Sequence, residues 1–163
     1  MDVDGVLTDG RIYLQSLPDG TAEEMKVFHA RDGAGLKLAR MAGLRTGIIT
    51  GRDSAATARR AREVDMDFLA QKQAEKLPAY EAILREARLD DAAVAYIGDD
   101  LPDLPVLRRV GLAIAVGDAA PEVRRVAHFV TQRHGGEGAV REAIEAILRA
   151  QGTWRKVSGR ARA

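Results

Sequence analysis

Residues Val94 to Val110 read VAYIGDDLPDLPVLRRV. A short apolar, β-prone run ends on Gly98, carboxylates follow at Asp99, Asp100 and Asp103, and Pro102 opens a helical pattern. This is the grammar of strand, polar turn and helix, with acidic groups at the carboxyl end of the strand. The rhythm recurs outward along the chain. Further candidate strands are Arg45–Thr50, Asp67–Ala70, Leu112–Val116 and His128–Val130, beside Val94–Ile97 itself. Their near-continuous apolar character suits strands covered on both faces, as in a parallel sheet.

Helical patterns lie between them. Gly33–Ala42 follows Asp32, which reads as an N-cap. Ser54–Val64 is rich in Ala and Arg. Glu75–Ala87 carries Leu77, Tyr80, Leu84 and Ala87 at helical spacing, with Pro78 in the tolerated first turn. Pro102–Val110 and Pro121–Ala127 open on proline, and Glu137–Ala150 places Val140, Ile144, Ile147 and Leu148 on one face. Strand–helix alternation at this interval predicts an α/β fold with a doubly wound parallel sheet of the Rossmann-like type. Arg11–Leu17 and Thr21–His29 break the alternation. They flank Pro18-Asp19-Gly20 and predict a β-hairpin standing over the carboxyl edge of the sheet. The domain reading is one unit over 1–151, with 11–29 as a hairpin flap, followed by an aperiodic, mobile basic tail over 152–163.

Composition narrows the function. The 163 residues hold 25 Lys and Arg against 24 Asp and Glu, so no global basic field is present to hold nucleic acid. Cysteine is absent, which excludes disulfides, thiolate nucleophiles and cysteine-ligated zinc. No apolar run approaches a membrane span and no basic-then-apolar leader precedes the first motif, so a cytoplasmic protein off the membrane is expected.

Open α/β sheets bind ligands at the carboxyl ends of their strands. The clusters that fall there are Asp2 with Asp4, Thr50-Gly51-Arg52, Lys76, and Asp99-Asp100 with Asp103. Crowded carboxylates need a compensating cation, and hard oxygen donors without His or Cys point to Mg²⁺. A carboxylate can attack phosphorus to form an aspartyl-phosphate, and a second one nearby can move the proton. Lysine, threonine and backbone N–H groups at a helix start can hold the phosphoryl oxygens.

These residues carry a resemblance. DVDGVLTDG, IITGR, Lys76 in EKLPA, and YIGDDLPDLPVL are similar, in order, to the four motifs of the haloacid dehalogenase superfamily. FHARDGAGLKL, a hairpin in place of a cap domain, and HGGEGAVREAIEAIL before AQGTW resemble the family of 3-deoxy-D-manno-octulosonate 8-phosphate (Kdo 8-phosphate) phosphatases. The resemblance implies a capless, Mg²⁺-dependent phosphatase of lipopolysaccharide sugar synthesis that works as a homotetramer. It implies Asp2 as nucleophile and Asp4 as general acid/base, with Thr50 and Lys76 on the phosphate. Asp2, the Asp4 carbonyl and Asp99 would hold the metal, with Asp103 supporting their loop. Gly51, Arg52 and Arg60 would line the substrate pocket, and the HARDG loop with Asp32 would lie on the substrate side. The substrate is then a phosphorylated sugar acid.

Two departures stand against that pattern. Lys72 follows Gln71 where the family has glycine, and it is expected either to crowd the loop or to add an anion contact. The family also has an apolar first strand before the nucleophile, and only Met1 stands in its place. The first strand is therefore expected to be largely missing, and a form extended by such a strand is expected to fold better and work faster. Three rivals follow. A phosphatase for nine-carbon N-acylneuraminate or KDN 9-phosphates shares the scaffold, but HARDG favours the eight-carbon acid. A receiver-like phospho-acceptor has no use for Asp4. A catalytically silent homologue has only the missing strand in its favour.

Overall fold

The computed structural model describes residues 1–160. An antiparallel hairpin comes first, β1 (Tyr13–Ser16) and β2 (Ala22–Met25). Then follow α1 (Ala30–Met41), β3 (Gly47–Ile49), α2 (Ala55–Glu63), β4 (Phe68–Ala70) and α3 (Lys76–Ala87). The second half is β5 (Ala95–Gly98), α4 (Leu104–Leu107), β6 (Leu112–Ala115), α5 (Pro121–Val126), β7 (Phe129–Val130), α6 (Ala139–Ala150) and α7 (Trp154–Arg160). Every expected strand and helix is present, most of them a residue or two shorter.

The strands of the main body are parallel, as their apolar runs predict, but they form two sheets. One is β3–β4 and the other is β5–β6–β7. Only Met1 and Asp2 join them. Ile49 N–H donates to the Met1 carbonyl at 3.0 Å, and Asp2 N–H donates to the Ile97 carbonyl at 3.0 Å. The backbone order across the domain is thus β4, β3, Met1–Asp2, β5, β6, β7. Away from these two residues, the facing edges of β3 and β5 border a groove of about 410 Å³ lined by Gly47, Tyr96, Leu112 and Ile144 among others. This is the parallel, doubly wound order read from the sequence, hydrogen-bonded as two sheets that Met1 and Asp2 bridge.

Ala113, Ile114, Ala115, Val116, Val106 and Leu107 form the buried centre, and Val140, Ala143, Ile144 and Leu148 of α6 close it. Three local expectations are corrected. The helix after the flap starts at Ala30, because the His29 imidazole caps it by accepting from Arg31 N–H at 3.1 Å. Asp32 lies inside its first turn and accepts from Arg141 N–H at 2.7 Å, tying α1 to the start of α6. The Pro102 helix is a 3-10 turn over Leu101–Asp103 running into the one-turn α4, with Asp100 and Asp103 forming a capping box.

The segment expected as a mobile tail is helical up to residue 160. Thr153 starts α7 through its carbonyl, Val157 is buried, and the Trp154 ring lies under the Arg149 and Arg141 guanidinium groups at 4.7 and 5.6 Å. One apolar anchor and one aromatic at i and i+3 suffice to dock it. Residues 161–163, with Arg162 of the basic tail, lie outside the described residues.

Lys72 has φ of +60°, the left-handed region that favours glycine. Its ammonium pairs with Asp53 at 2.8 Å, with both side chains largely exposed. It neither crowds the loop from inside nor reaches toward the pocket. Relief of the left-handed strain, less the chain entropy lost by glycine, gives Lys72→Gly a net stabilisation of about 0.5–1 kcal/mol. Urea unfolding of the two proteins side by side measures it.

Candidate active site

Asp2 is where the bridge between the sheets ends, and the residue is 7% exposed. The register that pairs Ile49 with Met1 sets Thr50, which is also buried, beside it at the end of β3. Across the bridge, β5 delivers Gly98 and Asp99. Lys76, the first residue of α3, enters from the other side. Its ammonium is 2.8 Å from Asp2 Oδ1 and 2.7 Å from Asp103 Oδ1.

Asp103 is the scaffold of this cluster. It is 1% exposed, and each of its oxygens is used. Oδ1 accepts from Lys76 and from the Tyr96 hydroxyl at 2.8 Å, while Oδ2 accepts from the N–H groups of Asp99 and Asp100 at 3.0 and 3.4 Å. It therefore fixes the Asp99 loop, the supporting part expected of it. Asp100 caps the following turn through Leu101 N–H.

Charge is out of balance here. Three carboxylates, Asp2, Asp99 and Asp103, can bring ligand oxygens within 4.8 Å of one another, and Lys76 is the only cation bonded to them among the described residues. Burial, then repulsion by Asp2 and Asp103, pushes Asp99 up to about 8. Burial likewise raises Asp2, although Lys76 opposes it. For Lys76, burial works against the charge, but Asp2 and Asp103 outweigh it and its pKa rises. Asp99 Oδ1 is buried without a hydrogen-bond partner. An orphan oxygen beside a second carboxylate suits a hard divalent cation, whose charge would offset the surplus.

The loop after the nucleophile is held over this cluster by close backbone contacts. Gly5 has φ of +93°, and a Cβ there would lie 2.1 Å from Asp99 Oδ2. Gly135 presses on the same loop from the far side, where a Cβ would fall 1.8 Å from the Gly5 carbonyl oxygen, and Gly136 N–H donates to Val6 O at 3.0 Å. The sequence reading used HGGEG only as part of a resemblance. Its physical task is to buttress the Asp2–Asp9 loop.

Other expected site residues divide. The Asp4 carboxylate is outside the Asp2–Asp99–Asp103 cluster and pairs with Lys26 of the flap. Arg52, exposed at the β3 turn beside Gly51, forms a two-nitrogen contact with Glu24 of β2 at 3.1 and 2.6 Å. Arg60 pairs with Glu63 at 3.0 Å and stacks on Phe28 at 5.7 Å. Asp32 is 1% exposed and serves the α1–α6 junction. The structure thus gathers Asp2, Thr50, Lys76 and Asp99, brings Asp4 and Arg52 under the flap, and gives Arg60 and Asp32 structural contacts. The sequence reading missed Glu24 and Lys26. Only an exposed-looking polar strand, AEEMK, signals them, and nothing in it says which face is buried.

A family model for haloacid dehalogenase-like hydrolases matches residues 65–144. The 3-deoxy-D-manno-octulosonate 8-phosphate phosphatase KdsC of Yersinia pestis is 44% identical over 150 residues, 92% of this chain and 78% of the relative. The chain belongs to the haloacid dehalogenase-like hydrolases. Solved structures of the family agree over nearly its whole length. The Kdo 8-phosphate phosphatase of Moraxella catarrhalis, in complex with magnesium, phosphate and KDO, superposes with TM-score 0.92 at 40% identity, covering 98% of this chain and 89% of that one. A probable YrbI family phosphatase from Pseudomonas syringae pv. phaseolica gives TM-score 0.92 at 47% identity, covering 99% and 90%. The haloacid dehalogenase fold read from the motifs is thereby established for this chain.

The raised Asp99 gives a pH signature. Without metal, the folded protein keeps a proton on Asp99 that the unfolded chain sheds near the ordinary carboxylate value of 3.8. This contribution to stability is complete below that value and is lost as pH rises toward about 8. A divalent cation replaces the proton, so the rise in Tm on adding excess Mg²⁺ is larger at pH 8 than at pH 6. Thermal unfolding at both pH values checks this, and Asp99→Asn removes the pH-dependent part.

Proposed function

We propose that the protein is a Mg²⁺-dependent phosphomonoesterase that hydrolyses 3-deoxy-D-manno-octulosonate 8-phosphate to the free sugar acid and phosphate, in lipopolysaccharide biosynthesis. The observation that carries the reading is the buried Asp2 carboxylate, bonded to Lys76 and set beside an orphan Asp99 oxygen at the junction of two parallel sheets. Relatives that bear the Kdo 8-phosphate phosphatase name, at 41–44% identity over most of the chain, support the substrate.

Asp2 is the nucleophile. Its oxygen attacks phosphorus and the ester oxygen leaves, giving an aspartyl-phosphate that water then cleaves. Asp4, two residues on, gives a proton to the departing alcohol and takes one from the attacking water. Lys76 neutralises Asp2 before attack and the phosphoryl group afterwards, and Thr50 with the Gly51 turn holds the phosphoryl oxygens. Asp2, Asp99 and the Asp4 carbonyl would hold Mg²⁺, which when bound would offset the charge on the transferring group. Arg52 and Gly51 border the sugar side, and Arg60 and Asp32 support the HARDG loop behind it.

The working form is a cytoplasmic homotetramer. The flap supports this reading, since Ile12 and Leu14 on one face and Met25 and Val27 on the other are all more than half exposed. Large apolar side chains on both faces of a hairpin call for cover by another surface. Light scattering behind a sizing column gives four chains for the native protein, and Leu14→Asp with Met25→Asp lowers that number. No described helix is long and apolar enough to cross a membrane.

Phosphate release from Kdo 8-phosphate with and without Mg²⁺ tests the function. Activity is expected with the metal, near-zero activity after chelation, and a loss of at least about 10³-fold in Asp2→Asn. Turnover of a nine-carbon 9-phosphate as fast as the eight-carbon substrate would defeat the substrate assignment. A phospho-Asp2 that persists without phosphate release would defeat the enzymatic one.

A further inference from the structure

Lys26 follows β2, on a hairpin most of whose side chains are exposed, yet its own side chain is only 3% exposed. The ammonium is turned inward onto the Asp4 carboxylate and lies 3.6 Å from Glu24 Oε1. Glu24 in turn holds Arg52 through the same oxygen, while its other oxygen is buried with no hydrogen-bond partner. The flap therefore closes a row of alternating charge, Asp4, Lys26, Glu24, Arg52, running from beside the nucleophile to the β3 turn.

Burying an ammonium is costly unless it is paired. A solvated lysine on an exposed hairpin would be the cheaper arrangement, so the inward turn requires a partner that recovers the loss, and Asp4 is that partner. Asp4 has no other side-chain partner among the described residues. The carboxyl torsion of an aspartate is broad and roughly two-fold, so its aim is set by what it touches. Proton transfer tolerates little misalignment, on the order of 0.5 Å and 10–20°.

We propose that Lys26 is a positioning residue, delivered by the flap, that aims the Asp4 carboxyl group at the oxygen leaving phosphorus. The inference rests on Asp4 being the proton-transfer group. Lys26 itself donates no proton to the product and forms no bond to phosphorus. Its effect is confined to steps in which Asp4 moves a proton.

That confinement makes the test specific. Ring-substituted phenyl phosphates, from 4-nitrophenyl to unsubstituted phenyl, leave with decreasing ease while engaging none of the sugar contacts. Their kcat/KM reports the steps up to expulsion of the phenol. In Lys26→Met, kcat/KM is expected to fall on the order of 10- to 100-fold for phenyl phosphate, but less than about threefold for 4-nitrophenyl phosphate, which needs little protonation. Lys26→Arg is expected to restore much of the phenyl phosphate rate. Equal losses on all esters would overturn the proposal, as would an Arg variant no better than Met. Asp4→Asn separates this from the reading beneath it. If Asp4→Asn shows the leaving-group contrast and Lys26→Met does not, Lys26 alone loses its role; if Asp4→Asn shows none, the assignment of Asp4 fails first. Unchanged far-ultraviolet circular dichroism in each variant keeps the comparison between folded proteins.

Discussion

Three carboxylates converge on one lysine, and the arrangement of the domain turns on that imbalance. Asp2 comes from the start of the chain and Asp99 and Asp103 from the one loop after β5, and each would rather be in water. Lys76 pairs with two of them, Tyr96 and two backbone N–H groups satisfy Asp103, and Asp99 is left with a surplus that raises its pKa through burial and repulsion. A site so constructed is poised for positive charge and for a dianionic phosphoryl group brought in with it. The glycines around it are part of the same constraint. Gly5 lets the backbone pass within reach of Asp99, and Gly135 lets a second loop press on the first.

The sheet supplies the convergence. Parallel strands point their carboxyl ends the same way, so residues distant in sequence arrive at one edge. In the middle of that edge Met1 is bonded to β3 and Asp2 to β5. The nucleophile is therefore positioned by the hydrogen bonds of Met1 to Gly47 and Ile49, that of Asp2 to Ile97, and the ion pair with Lys76. Over the same edge stands the hairpin, apolar on both faces but turned inward at Lys26 and Glu24, so the part that looks most peripheral in sequence contacts the acid/base residue directly.

The parallel architecture was legible because buried strands leave continuous apolar runs and helices leave a 3.6-residue period. The placement of Thr50, Lys76 and Asp99 was legible because the apolar runs before them mark the carboxyl ends of strands, whereas Asp2, with no run before it, was placed by the resemblance of its motif. Misreadings fell where a local signal had two outlets. Asp32 before a glycine-rich helix is a plausible cap, but the His29 imidazole reached the free N–H first and Asp32 turned to α6. The last helix has too short a pattern to show in sequence, and only the α6 arginines over Trp154 and the burial of Val157 secure it.

By itself, the order of residues determined the fold class, the acidic edge and the need for a cation, since these depend on periodicity and on charge counted along the chain. The tertiary structure alone decided which charges touch. It bonded Asp103 to Lys76, laid Arg60 over Phe28, and set Lys26 against Asp4. Pairing between groups 22 or more residues apart depends on packing distances of a few ångströms, and a linear pattern carries no such distances.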